Sequence, residues 1–149
     1  MTRPTSALLR AYRRTAYAAG GAVARIGRRS PALDALLARH GGRAGAFVGA
    51  WNPYSRLMPP GWNRRMGEAL RRHARRLPHV SGEGTAQEGT GRTWREEHLL
   101  VVADPRRVAV LGRRFRQAAL VVARRRQAAR LLPLAGRGGS GDAGGTRPA

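Results

Sequence analysis

Three observations predict an α+β fold with a single mixed β-sheet and about three helices. Short apolar runs such as Leu99–Val102 have the length of buried strands. Amphipathic stretches open at Ser30-Pro31, Pro59-Pro60 and Asp104-Pro105, pairs that suit helix starts. Hairpin signals sit at both ends of the chain, so strands and helices do not alternate strictly. The expected order is β-β-α-β-α-β-α-β-β in one domain over residues 10–134. An N-terminal tail over 1–9 and a disordered Gly-rich tail over 135–149 flank it.

The elements follow in order. Leu8, Leu9 and Tyr12 form a short helical lead-in. Thr15–Ala19 and Ala22–Ile26 flank Gly20-Gly21, a two-residue hairpin signal. Ser30 caps a helix carrying Leu33, Leu36 and Leu37 on one face, with Asp34 suiting the dipole of its first turn. Gly41-Gly42 ends it. Phe47–Trp51 reads as a strand closed by Asn52-Pro53. The next helix runs from Pro59-Pro60 to about Leu77, with Trp62, Met66, Ala69, Leu70, His73 and Leu77 inward and arginines outward. Ser81–Gly91 is rich in Gly, Thr and Glu and reads as a mobile loop. Trp94–Val102 returns to strand. The helix after Asp104-Pro105 turns Val108, Leu111 and Phe115 inward. Ala118–Ala123 and Ala128–Leu134 form a closing hairpin around Arg124–Gln127.

Composition narrows the function. The chain has 149 residues, enough for a core of its own. Every one of its 29 basic Lys/Arg positions is Arg, against 8 acidic residues, for a net charge of +21. Genomic GC bias explains Arg in place of Lys but not the shortage of acids. Such a field attracts nucleic acid or another polyanion. The absence of Cys excludes disulfides, thiolate metal sites and a Cys nucleophile. No apolar run is long enough to span a bilayer, which argues against an integral membrane protein. No secretory signal is evident and the expected location is cytoplasmic. The sequence leaves the oligomeric state open.

The familiar catalytic and cofactor signatures are missing: no phosphate-binding loop, no Gly-rich turn linking a strand to a helix, no HExxH and no GxSxG. The four His residues have no metal-ligand spacing, and neither a metal nor a cofactor is expected. Two polar clusters stand out. In Trp51-Asn52-Pro53-Tyr54-Ser55-Arg56, Asn52 and Ser55 can shape a turn at the carboxyl end of a strand, where ligands sit in open sheets. Asn63, in the first turn of the next helix, can face the same crevice. In Trp94-Arg95-Glu96-Glu97-His98, alternation puts Trp94, Glu96 and His98 on one face and Arg95 and Glu97 on the other. The acids either neutralise nearby Arg or serve as a base or hydrogen-bond acceptor. Gln117 adds a neutral hydrogen-bonding group at a helix-to-strand junction.

Together these pieces resemble a family. Ala50-Trp51-Asn52-Pro53-x-Ser55, then Asn63, then Trp94-x-Glu96-Glu97, then Phe115-x-Gln117 is similar to a bacterial family catalogued as domain of unknown function 3293. Gly27-x-x-Ser30 with Leu33-Asp34-x-Leu36-Leu37 adds to the likeness, which covers roughly residues 10 to 134. The resemblance implies a small single-domain protein and groups Asn52, Ser55, Asn63, Glu96 and Gln117 in one pattern, without assigning an activity. Three departures stand against it. Arg116 replaces a usual Gly, His98 a usual small residue, and Arg124–Gln127 a turn that often holds Gly. If position 116 requires positive φ, Arg there costs stability.

Three functions compete. A polyanion binder would use Arg71, Arg72, Arg75, Arg76, Arg113, Arg114, Arg124, Arg125 and Arg126 on phosphates. A small-ligand binder or enzyme would use Asn52, Ser55, Asn63, Trp94, Glu96 and Gln117, which must then converge on one cavity. A structural or interaction protein would keep the polar pattern only to fix its fold.

Overall fold

The computed structural model describes residues 5–87, 91 and 93–134. In chain order the elements are α1 (Ser6–Arg14), β1 (Ala16–Ala19), β2 (Ala22–Ala24), α2 (Pro31–Arg39), β3 (Ala44–Gly49), α3 (Pro60–Ala74), β4 (His79–Gln87), β5 (Thr93–Val101), α4 (Pro105–Arg114), β6 (Ala119–Arg124) and β7 (Arg130–Pro133), with a single 3₁₀ turn at Pro53–Ser55. The α+β class holds. The expected tail over 135–149 lies outside the described residues.

The helix starts follow the chemistry of their caps. The Ser30 hydroxyl accepts from the Leu33 N–H at 3.2 Å, and the Asp104 carboxylate accepts from the Arg106 N–H at 2.9 Å. Pro31 and Pro105 occupy the first turns, where no N–H is needed. α1 starts at Ser6, inside the stretch expected as a tail. The Thr5 side chain caps it and no residue of it is buried, so apolar periodicity signals it weakly. α3 ends at Ala74 rather than Leu77. It buries Asn63, Gly67, Leu70 and Ala74, a face rotated from the expected one. His73 is exposed and sits edge-on to Phe115 at 5.6 Å.

All seven strands belong to one sheet, in the order β2-β1-β4-β5-β3-β6-β7. The expected mixed sheet is corrected here, because each strand pairing among the described residues is antiparallel. One isolated parallel bridge joins Ile26 to Ala129. The Gly27 N–H donates to the Ala129 carbonyl at 2.8 Å, and the Ala129 N–H donates to the Arg28 carbonyl at 3.0 Å. Ile26 follows β2 and Ala129 precedes β7, so the sheet curls until its two outer strands meet.

Residues 81–87 are strand, not loop. Gly82, Gly84 and Ser81 have poor intrinsic strand preference, but β4 pairs with β1 on one side and along nine positions of β5 on the other. Pairing context outweighs propensity in such a case. Residues 88–90 of the expected loop lie outside the described residues. β3 starts at Ala44, three residues before the expected Phe47. Its position between β5 and β6, with Gly45–Gly49 buried, makes it a central strand despite its small side chains.

The sheet separates two apolar layers. Val48, Val101, Leu120 and Val122 pack with Leu70, Ala74, Val108 and Leu111 of α3 and α4 on one face. Phe47, Leu100 and Val121 pack with Tyr17 of β1 and Leu33, Leu36 and Leu37 of α2 on the other. Burial on this scale supplies the main drive for folding, about 25 cal/mol per Å² of apolar surface. No helix among the described residues is long and apolar enough to cross a membrane.

Candidate functional site

β3 and β5 lie side by side, and the turn after β3 folds back over them. This brings Asn52 and Ser55 above the carboxylate of Glu96. The turn is strained: Asn52, Tyr54 and Ser55 have φ of 47°, 50° and 64°. Asn tolerates this left-handed region, but Tyr and Ser do so at a cost of roughly 1–3 kcal/mol each. The Tyr54 N–H donates to the Arg116 carbonyl at 2.7 Å, which ties the turn to the end of α4.

Asn52 is the hub. It is 8% exposed. Its Nδ2 donates to Glu96 Oε1 at 2.7 Å. Its Oδ1 accepts from the Met58 N–H at 2.9 Å and from Asn63 Nδ2 at 3.1 Å. Its own backbone N–H donates to Asn63 Oδ1 at 3.1 Å. Asn63 therefore does not line the crevice; it is a buried brace for Asn52. Gln117 plays a similar part, its Nε2 donating to the carbonyls of Trp51 at 3.1 Å and Phe115 at 3.0 Å.

A cavity of about 240 Å³ opens beside this network. Asn52, Ser55, Trp94, Glu96 and Gln117 line it, so five of the six expected residues converge and the sixth holds one of them in place. The alternation in β5 is realised. Trp94, Glu96 and His98 face the cavity, whereas Arg95 bonds Glu83 at 2.6 Å and Glu97 lies 3.7 Å from Arg71. The two adjacent acids thus divide: Glu97 neutralises arginine, and Glu96 makes no ion pair among the described residues.

Glu96 is half-buried, and the Asn52 amide is its one hydrogen-bond donor among the described residues. Burial pushes its carboxyl up to about 7, against the lowering effect of the Asn52 hydrogen bond. Burial, reinforced by the negative charge of Glu96, pushes the Tyr12 phenol up to about 12. The Tyr17 phenol moves in the same direction, chiefly by burial. Burial pushes the His98 imidazole down to about 4, so it is neutral at physiological pH.

Sequence reasoning missed much of the wall. Tyr12 of α1, Tyr17 of β1 and Phe47 of β3 line the cavity, as do Leu8, Ala11 and Arg14 of α1. Tyr17 stands 5.7 Å from both the Phe47 ring and the His98 ring. The available signal was scarcity: the chain has 3 Trp, 3 Tyr and 2 Phe. Tyr12, Tyr17, Phe47 and Trp94, half of those eight, border this one space.

The departures from the family pattern have physical counterparts. Arg116 and Arg126 have φ of 54° and 65°, the region that favours Gly. At Arg126 the N–H is taken by the Asp34 carboxylate at 3.1 Å. His98 fits because its two flanking strands offer glycines. A Cβ on Gly49 would come within 2.9 Å of the imidazole, and one on Gly84 within 2.7 Å. His98 Nδ1 lies buried in this slot without a hydrogen-bond partner.

The nine arginines expected to meet a polyanion lie elsewhere. Arg71, Arg72, Arg75 and Arg76 are exposed along and just beyond α3, and Arg113 and Arg114 are exposed on α4. Arg124, Arg125 and Arg126 border an open concavity with Arg43 at the β6–β7 turn. No cluster of three or more His, Cys, Asp or Glu residues suited to a metal occurs among the described residues.

No curated protein and no solved structure matches the chain. Residues 48–120 match the family model described as Protein of unknown function (DUF3293). That stretch runs from β3 to the start of β6 and contains Asn52, Ser55, Asn63, Trp94, Glu96 and Gln117. By this match, residues 48–120 carry the sequence pattern of the DUF3293 family.

Proposed function

We propose that this protein binds a small molecule in the cavity beside Glu96. One observation carries the reading. Polar groups from three separate stretches of sequence meet at a partly open cavity whose carboxylate has no cation paired with it among the described residues. Such an arrangement costs stability. The strained turn at Asn52–Ser55 adds to that cost, and strain of this kind concentrates at functional sites. A fold-stabilising role alone would be served better by an apolar filling of the same space.

The test is a fragment screen by protein-observed NMR. Compounds that bind should shift the amide signals of Trp94, Glu96 and Gln117. Ala118→Leu fills the cavity without touching the polar groups. It should abolish those shifts while the variant melts within a few degrees of the parent. Shifts that survive Ala118→Leu, or that map outside the cavity, would refute the reading.

A second reading concerns the arginine faces. α3 and α4 pack on the same side of the sheet, and Arg71, Arg72, Arg75, Arg113 and Arg114 are exposed on them. This supports contact with a polyanion such as nucleic acid through phosphate. Fluorescence anisotropy with duplex DNA and single-stranded RNA at about 50 and 200 mM salt tests it. Binding that persists at the higher salt and prefers one nucleic acid supports it, and loss of binding there refutes it.

A further inference from the structure

The polar groups at the floor of the cavity are unevenly used, and this defines a ligand class for the binding site proposed above. Asn52 has its Oδ1 doubly engaged and one Nδ2 N–H spent on Glu96. Gln117 directs its amide N–H groups at the Trp51 and Phe115 carbonyls, so its Oε1 is what remains for a ligand. Glu96 has one oxygen held by Asn52 and no arginine paired with it among the described residues. Around Glu96 the floor therefore presents mainly acceptors, a carboxyl group and an amide carbonyl, beside the second Asn52 N–H and the Ser55 hydroxyl. Aromatic rings of Tyr12, Tyr17, Phe47 and Trp94 surround it. A carboxylate among aromatic faces is the environment that a protonated amine recognises.

Among the described residues, the other charged side chain bordering the space is Arg14, exposed in the last turn of α1. A guanidinium there suits a carboxylate or phosphate. Long-range charge favours the same combination. A net charge of +21 repels a simple cation as it approaches. A molecule that carries its own anion escapes most of that repulsion. We propose that the cavity takes a small zwitterion of the amino-acid type, its ammonium group on Glu96 and its acid group on Arg14.

Titration calorimetry at pH 8 tests this with the protein amino acids, the amines made by removing their carboxylates, and the acids made by removing their amino groups. At least one amino acid should bind at least tenfold more tightly than its matched amine and its matched acid. Glu96→Gln should abolish that binding. Arg14→Gln should erase the preference for the amino acid over the amine and leave amine binding in place. Affinity should rise about tenfold per pH unit up to about pH 7 and then level off, because the ammonium needs Glu96 ionised. Among the described residues the other titratable groups bordering the cavity with Glu96 are Arg14 and Tyr12 on α1, Tyr17 on β1 and His98 on β5; the two phenols and the imidazole stay neutral between about pH 5 and pH 8. A matched acid that binds as tightly as its amino acid overturns the proposal. So does a silent panel when neutral fragments occupy the cavity, and in that case the ligand-binding reading stands. Silence from both the panel and the fragment screen refutes the two together.

Discussion

Replacing Glu96 with Gln should make the protein more stable at neutral and alkaline pH, and by an amount that depends on pH. The folded carboxyl titrates at about 7, against an ordinary value of 4.5. At about 1.4 kcal/mol per tenfold change in proton affinity, the ionised side chain costs the folded state about 3 kcal/mol. Gln keeps an acceptor oxygen for the Asn52 N–H and carries no charge to desolvate. The folded protein holds this proton more tightly than the unfolded chain, so the parent loses stability as pH rises from 4.5 to 7. Below pH 4.5 both states are protonated and the parent and variant should coincide. Above pH 7 the full difference should appear, a gain in melting temperature of about 5–10 °C for a protein of this size. Thermal unfolding of both proteins from pH 4 to pH 9 measures it. A gap of the same size at pH 4.5 and pH 8, or a variant less stable at pH 8, would refute the desolvation argument.

Four other substitutions probe separate parts of the structure. Arg116→Gly relieves the left-handed backbone at φ 54° while keeping the carbonyl that accepts from Tyr54, and should stabilise by about 1 kcal/mol in denaturant titration. Asn52→Ala removes the side-chain partner of Glu96, of Asn63 Nδ2 and of the Met58 N–H together, and should cost about 2–4 kcal/mol by the same method. Gly84→Ala drives a methyl group into the His98 ring and should lower the melting temperature. Adding His98→Ser should recover most of that loss, a coupling read from the double-mutant cycle.

The readable parts of the sequence were those where one local rule acts alone. Ser30-Pro31 and Asp104-Pro105 start helices because a side-chain acceptor and a missing N–H are both local facts. The period of β5 sorted Trp94, Glu96 and His98 from Arg95 and Glu97 because alternation needs no knowledge of the neighbouring strands. β4 was illegible for the opposite reason. Its glycines look like a loop until β1 and β5 supply partners and His98 supplies a ring to fit around. Half of the candidate site was hidden in the same way. Tyr17 and Phe47 read only as strand residues, and their place on the cavity wall depends on how distant strands are brought together in the sheet. The role of Asn63 as a brace depends on where α3 crosses the turn, which no spacing in the sequence encodes.

The bridge between Ile26 and Ala129 has a consequence for how the molecule breathes. It is a seam between chain segments about a hundred residues apart, closed by two backbone hydrogen bonds. Loop entropy of this kind grows only slowly with length, so a closure so small can hold. It is also the place where the barrel-like wall can part without disturbing β3 and β5 at the centre. While shut, it leaves neither outer strand a fully open edge for a second molecule to zip onto. While parted, it exposes both. Amide exchange at Gly27 and Ala129 therefore reports the rate at which the protein lays itself open to fibril-like pairing.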